Sequence, residues 1–256
     1  MAKIRILVVD DSVVVRRLLA KVLASDPALE VSATAANGRI ALAMLPQVHP
    51  DLVLLDVVMD QMDGLETLTE LRKTYPRLPV LMFSTYTERG AAQTLEAIAR
   101  GATDYVTKPT TLSGQDGGLN ALKDQLIPKI KELCRVREGM GAEALPRPRL
   151  DKGGALPRPV EILVIGTSTG GPNALTELLT PLPGDFPVPI AIVQHMPPLF
   201  TRSLADRLAS RCQIAVEEGV AGGAVRPGHA WVAPGNYHMT LVPDGETVRL
   251  GLNQDP

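Results

Sequence analysis

Two groups of residues in this 256-residue chain have the types and spacing to do chemistry. The first centres on a serine. Ser168 stands in Gly166-Thr167-Ser168-Thr169-Gly170-Gly171-Pro172, after the apolar run Ile162-Leu163-Val164-Ile165 and before Ala174, Leu175, Leu178 and Leu179 at helical spacing. A serine between glycines at a strand-to-helix turn is the layout of a nucleophile elbow. Glycine permits the sharp bend that leaves the hydroxyl exposed, and the backbone N–H groups of Thr169, Gly170 and Gly171 at the helix start could stabilise an oxyanion. The same turn could instead bind phosphate or merely connect two elements. A Walker loop needs lysine after its last glycine, where Pro172 stands, and the glycine spacing does not fit a dinucleotide fingerprint. His195 ends a second apolar run, Pro187 to Val193, in Gln194-His195-Met196-Pro197-Pro198. Two strand ends of one parallel sheet can bring a serine and a histidine together, and the imidazole could remove the hydroxyl proton. A lone histidine is more simply structural, but this one repeats the strand-end placement of Ser168.

The second group is spread over the first half. Asp10 and Asp11, Asp56, Ser84 and Lys108 each follow a short apolar run: Ile4–Val9, Leu52–Leu55, Val80–Phe83 and Tyr105–Thr107. Side chains that act on ligands in open α/β sheets gather at the carboxyl ends of strands. Solvated strand ends collect polar residues too, but five such residues on four strands exceed that explanation. Three carboxylates at one rim repel each other, and a divalent cation such as Mg²⁺, which takes oxygen ligands, relieves the repulsion. Asp56 could then attack a phosphoryl group as a carboxylate nucleophile, with Ser84 and Lys108 on the phosphoryl oxygens.

The elements that must position these groups follow from periodicity. A second strand is expected over Val31–Ala35. Helices are expected where Val14, Leu18, Leu19, Val22 and Leu23 recur, over Gly38–Leu45, Leu65–Lys73 and Ala91–Arg100, and from Leu119 to about Val136. Alternating strands and helices imply a parallel sheet with right-handed crossovers. From Arg137 the sequence is rich in Pro, Gly, Arg and Glu without apolar period, and residues 137–159 read as a linker. Its repeated Leu-Pro-Arg-Pro (145–148 and 156–159) could dock a partner as a polyproline helix, although a spacer is the simpler reading. In the second half, a helix carries Phe200, Leu204 and Leu208 on one face, and Ala230–Ala233 reads as a strand. The expected organisation is 1–125 as a first domain with its closing helix reaching about 136, the linker, and 160–256 as a second domain.

Composition sets limits. Aromatic residues make up 3% and the net charge is −2, which argues against stacking on nucleic acid and leaves no basic footprint for it. Cys134 and Cys212 lack metal-ligand spacing and read as reduced thiols. A zinc site from His195, His229 and His238 has no ligand spacing to support it. No apolar run is long enough to span a membrane, and the chain enters a strand at once, leaving no room for a signal peptide. A cytoplasmic protein is expected.

Residues 1 to about 125 resemble a response-regulator receiver domain, through Asp10-Asp11, Asp56 in LLDVVMDQMDG, Ser84 in PVLMFS and Lys108 in DYVTKP. The resemblance implies a flavodoxin-like, five-stranded parallel sheet, phosphorylation at Asp56, and Mg²⁺ held by Asp10, Asp11, Asp56 and the Val58 carbonyl. It also implies a switch through Ser84, Lys108 and Tyr105, the aromatic that such domains turn inward. GTSTGGP, VQHMPPLFTRSLADRL and PGHAWVAPGNYHM resemble the catalytic domain of the chemotaxis methylesterases. That resemblance implies a doubly wound α/β domain with Ser168 as nucleophile and His195 as base, needing no cofactor. It further implies hydrolysis of glutamate methyl esters and deamidation of glutamines on methyl-accepting chemoreceptors, with a chemotaxis histidine kinase as phosphodonor, an unphosphorylated receiver that covers the catalytic site, and attachment to membranes only through the receptors. Family members carry a triad aspartate on a segment beyond the counterpart of Pro256. Neither Asp244, in the turn PDGE, nor Asp255 matches its motif. The second domain is therefore expected to be incomplete, with apolar sheet surface exposed. A phospho-receiver joined to an inactive esterase domain is the alternative expectation.

Overall fold

The computed structural model describes residues 3–109, 117–139 and 160–255. The chain divides into two compact units, Met1–Arg147 and Pro148–Pro256. The first is a parallel sheet of β1 (Ile4–Val9), β2 (Leu29–Ala35), β3 (Leu52–Asp56), β4 (Val80–Ser84) and β5 (Asp104–Thr107), in the order β2-β1-β3-β4-β5. This is the flavodoxin-like order, in which the chain reverses direction across the sheet between β1 and β3. Helices α1 (Val13–Ala24), α2 (Gly38–Val48), α3 (Gly64–Thr74), α4 (Glu88–Ala99) and α5 (Gly117–Gly139) make the connections and close the unit. All residues of β3 and β4 are buried, as expected of central strands covered on both faces. One part of the core joins Ile6, Val8, Leu54, Leu81 and Phe83 of the sheet to Leu19 and Leu23 of α1 and to Leu126 and Ile130 of α5.

The helix starts set the rim. Ser12, Asn37, Asp63 and Thr87 cap α1 to α4 by accepting a backbone N–H three residues on. Each satisfies one of the N–H groups a helix start leaves unpaired. Asp63 and Glu66 complete a capping box, so the segment after Asp56 is tied down where it enters α3. Several element ends differ from expectation by one to three residues; α4 starts at Glu88 rather than Ala91, and the strand expected from Pro187 starts at Ile190. β2 begins at Leu29, because that buried residue already pairs with Ile4. α2 runs through Pro46 to Val48 and ends at His49, whose φ is 44°; the helix continues two residues past a proline that lacks one of its hydrogen-bond donors. α5 reaches Gly139, and the rest of the expected linker, with both Leu-Pro-Arg-Pro segments, lies outside the described residues.

The second unit has a four-stranded parallel sheet in the order β6-β7-β9-β8: β6 (Leu163–Thr167), β7 (Ile190–Gln194), β8 (Ala215–Glu218) and β9 (His229–Val232). Helices α6 (Gly171–Leu179) and α7 (Pro198–Ala209) bury Leu175, Leu179, Phe200, Leu204 and Leu208. An antiparallel hairpin, β10 (His238–Asp244) with β11 (Thr247–Asn253), follows. It is fastened to the β8–β9 connection by Gly222 N–H to the Leu250 carbonyl, Leu250 N–H to the Gly223 carbonyl and Val225 N–H to the Val248 carbonyl. The strand β8, AVEE, was not legible in the sequence because its alternation covers only four residues.

β6 lies at a sheet edge, and Val164, Gly166 and Val193 share one exposed face, with Val164 64% exposed. Exposed apolar sheet surface is therefore present. The opposite face carries the buried Ile190, Ile192 and Gln194. No described helix is long and apolar enough to cross a membrane.

Candidate functional sites

The first site lies at the carboxyl rim of the five-stranded sheet. Asp10 is 0% and Asp56 4% exposed, whereas Asp11 is open to solvent. One carboxylate oxygen from each lies within 4.8 Å of the others. Lys108, at the end of β5, places Nζ 2.8 Å from Asp56 Oδ2 and 3.1 Å from Asp10 Oδ2. Its ammonium also lies over the Phe83 ring, 5.3 Å from the centroid. Burial pushes the Asp56 carboxyl up to about 6, against the pull of Lys108. Burial by itself would lower Lys108, but the Asp56 and Asp10 carboxylates outweigh it and raise its pKa. A cluster of hard oxygen donors, two of its three carboxylates buried and all sharing surplus negative charge, fits a divalent cation of the magnesium type.

The remaining residues are held in defined states. Ser84 is fully buried, and its hydroxyl donates to the Gly90 carbonyl in the first turn of α4 at 3.2 Å, away from the acids. Tyr105 is buried beneath Lys129 (Nζ to centroid 5.1 Å), and burial with the nearby Asp104 raises its pKa. Val58 is exposed, and its N–H reaches Asp56 Oδ1 at 3.5 Å. Arg16, not singled out from the sequence, donates from Nη1 to the Asp10 carbonyl at 2.6 Å and the Asp11 carbonyl at 2.9 Å, which fixes the loop carrying the paired acids. Only its position one helical turn after Asp-Asp-Ser hinted at this.

The second site lies at the carboxyl ends of β6 and β7. Their parallel register pairs Thr167 with Gln194, and the His195 N–H bonds the Thr167 carbonyl at 3.0 Å. Ser168 and His195 are the next residues on the two strands, so the backbone brings them side by side. Both are exposed. Among the described residues neither the Ser168 hydroxyl nor the His195 ring has a hydrogen-bond partner. Bonds of this kind commonly tighten only when substrate is bound.

Gly170 has φ 73° and takes the N-cap position of α6, a left-handed conformation that glycine adopts without steric cost. Of the three amides suggested for an oxyanion, that of Gly171 donates to the Ser168 carbonyl at 2.9 Å within the turn. The Thr169 N–H has no acceptor among the described residues and stands next to the serine.

Gln194 was read from the sequence only as the end of a strand. It is 5% exposed, and its side chain links both strand ends. Nε2 donates to the Ser168 carbonyl at 2.9 Å and to the His195 carbonyl at 3.3 Å, while Oε1 accepts from Thr167 Oγ1 at 2.7 Å. In α7, Thr201 ties three segments together. Its hydroxyl contacts the Pro198 carbonyl at 2.8 Å and Glu218 Oε1 at 2.7 Å, and accepts from the Gly235 N–H at 3.1 Å. His229 lies elsewhere, buried and stacked on Trp231 with centroids 4.2 Å apart, and burial lowers its pKa. His238 is exposed at the start of β10. Asp244 pairs with Arg249 across the β10–β11 turn.

Two family models match the chain. The response regulator receiver domain model matches residues 6–114, and the CheB methylesterase model matches 163–255. A Trichodesmium erythraeum protein named protein-glutamate methylesterase/protein-glutamine glutaminase is 47% identical over 261 residues, covering 100% of this chain and 74% of the relative. Relatives of the same name from a Nocardioides species and from Halalkalibacterium halodurans are 44% and 43% identical, with 100% and 99% of this chain and 72% of each relative covered.

Proposed function

The chain belongs to the protein-glutamate methylesterase/protein-glutamine glutaminase family with an N-terminal receiver, and on that premise we propose that it is a phosphorylation-regulated serine hydrolase of chemotaxis adaptation. Its substrates are glutamate methyl esters and certain glutamines on methyl-accepting chemoreceptors, which it meets from the cytoplasm. Ser168 Oγ attacks the ester carbonyl while His195 takes the hydroxyl proton. The oxyanion is stabilised by the Thr169 N–H, with the α6 dipole behind it. His195 returns the proton to the departing methoxide, giving methanol. Water, deprotonated by the same imidazole, then releases glutamate from the acyl-serine. A glutamine side chain follows the same path with ammonia as the leaving group. The single observation that carries this reading is the Thr167–Gln194 register, which sets Ser168 beside His195.

In the receiver, Asp56 accepts a phosphoryl group from a histidine kinase. Asp10, Asp11 and Asp56, with the Val58 carbonyl, would hold Mg²⁺, which when bound offsets the charge of the incoming phosphoryl group. Lys108 is already placed to exchange its carboxylate contact for a phosphoryl oxygen. Ser84 must turn from the Gly90 carbonyl to reach one, and Tyr105 completes the switch.

The test is methanol release from methylated chemoreceptor membranes by the full-length protein, with and without a small phosphodonor and Mg²⁺, beside Ser168→Ala and Asp56→Asn. Release should fall by about 10³-fold or more in Ser168→Ala. Asp56→Asn should keep basal release and lose the stimulation. Unchanged release in Ser168→Ala overturns the hydrolase mechanism, and full stimulation in Asp56→Asn overturns the receiver assignment. A second reading, a phospho-receiver joined to an inactive esterase unit, draws on the His195 ring having no carboxylate partner among the described residues. It predicts phosphorylation at Asp56 with no methanol release.

A further inference from the structure

We propose that Gln194 is a positioning residue for the esterase reaction, setting the spacing and orientation of nucleophile and base through their two backbone carbonyls. The inference rests on Ser168 and His195 being the reacting pair. A parallel ladder already joins β6 to β7, but it ends at the His195 N–H bond to the Thr167 carbonyl. Beyond that point the chains diverge, one into the α6 turn and the other into Met196-Pro197-Pro198. The Gln194 carboxamide spans the divergence. Its two Nε2 hydrogens serve two acceptors, the Ser168 carbonyl at 2.9 Å and the His195 carbonyl at 3.3 Å.

The amide is held in this orientation. Thr167 Oγ1 donates to Oε1 at 2.7 Å, and an amide turned over would set its oxygen against two carbonyls, which have no hydrogen to give it. The start of α6 is shaped around the same group, since a Cβ at Gly171 would lie 1.9 Å from Gln194 Oε1. Nearly complete burial removes competing water, so each of these bonds is costly to leave unmade. Buried as it is, the side chain offers little surface to a substrate. It acts through the backbone of the two residues that react, whose separation must be held to well within 1 Å for proton transfer.

The experiment uses Gln194→Glu, which keeps shape and volume but replaces two donors by an acceptor facing the same carbonyls. The second variant is Thr167→Val, which keeps the branched shape and removes the hydroxyl that orients the amide. Both are measured in the full-length protein on methylated receptor membranes, with circular dichroism and urea denaturation as folding controls and Ser168→Ala as reference. Gln194→Glu should lower kcat by about 10²-fold with KM within about twofold. Thr167→Val should lower kcat about tenfold, and Thr167→Ser, which restores the hydroxyl, should recover it. Wild-type kcat in a folded Gln194→Glu or Thr167→Val protein overturns the proposal while leaving the hydrolase reading intact. A loss in Thr167→Val that Thr167→Ser does not recover also overturns it. Activity surviving in Ser168→Ala instead removes the premise on which it rests.

Discussion

Lys108 Nζ sits between two buried carboxylates, 2.8 Å from Asp56 and 3.1 Å from Asp10, so one cation faces two anions in a pocket that water scarcely reaches. The site therefore carries surplus negative charge until a further cation arrives. This explains why burial leaves Asp56 with its pKa raised to about 6 even though an ammonium group touches it.

The electrostatic consequence can be measured on metal-free protein. A carboxyl raised from 3.8 to about 6 binds its proton more tightly folded than unfolded, so ionising it lowers stability as pH rises through that window. Asp56→Asn removes the ionisation. The variant should match the wild type below about pH 4, gain on it between pH 4 and 6, and stay ahead at pH 7 by on the order of 3 kcal/mol. Urea denaturation of both proteins across that range checks this. A wild type that is the more stable at pH 7 contradicts it.

Gly64 opens α3 where the segment after Asp56 folds back, and its N–H bonds the Val57 carbonyl at 3.0 Å. A Cβ there would lie 2.1 Å from the Asp56 carbonyl oxygen. Gly64→Ala should destabilise the receiver by about 1–3 kcal/mol and slow phosphorylation of Asp56 by displacing its backbone. Thermal melting and phosphodonor labelling test the two effects together.

Gly171→Ala meets the same kind of obstacle in the other unit, with Gln194 Oε1 at 1.9 Å and Thr167 Cβ at 2.9 Å. Either the carboxamide or the α6 turn must move. The expected outcome is a loss of about 1–3 kcal/mol in stability together with lower methanol release. Gly166→Ala is the control, because nothing lies within 4 Å of its added Cβ.

Thr201→Val tests the tie between the start of α7, β8 and the segment after β9. The hydroxyl is fully buried and joins the Pro198 carbonyl, Glu218 and the Gly235 N–H. Valine keeps the shape and leaves the Gly235 donor unpaired, for a cost of about 1–3 kcal/mol. Urea denaturation should show that loss. Unchanged stability would mean that Gly235 finds another acceptor.

The periodic segments were legible because they report burial. Ile6–Val9, Leu52–Leu55 and Val80–Phe83 are continuous apolar runs, since these stretches are covered on both faces, and the polar residue that ends each run marks the rim. The same reasoning located Ser168 and His195. It failed for β8, too short to show a period, and at Pro46, which α2 runs past although the proline removes one of its hydrogen bonds. It passed over Gln194 and Thr201 because a buried polar side chain looks like any surface polar residue until its partners are known.

What the sequence determined by itself is the set of local choices: which runs are buried, where helices are capped, and which chemically able residues lie at strand ends. Only the tertiary structure decided what those residues touch. Lys108 reaches Asp10 across 98 positions of chain because the order β2-β1-β3-β4-β5 sets both strand ends at one rim. Gln194 is buried while His195 beside it is exposed, because successive side chains leave a strand on opposite faces and α6 and α7 bury their apolar residues in the same unit. Periodicity depends on a few neighbouring residues and is written along the chain, whereas these contacts depend on strand order and register, which are fixed only when distant segments pair.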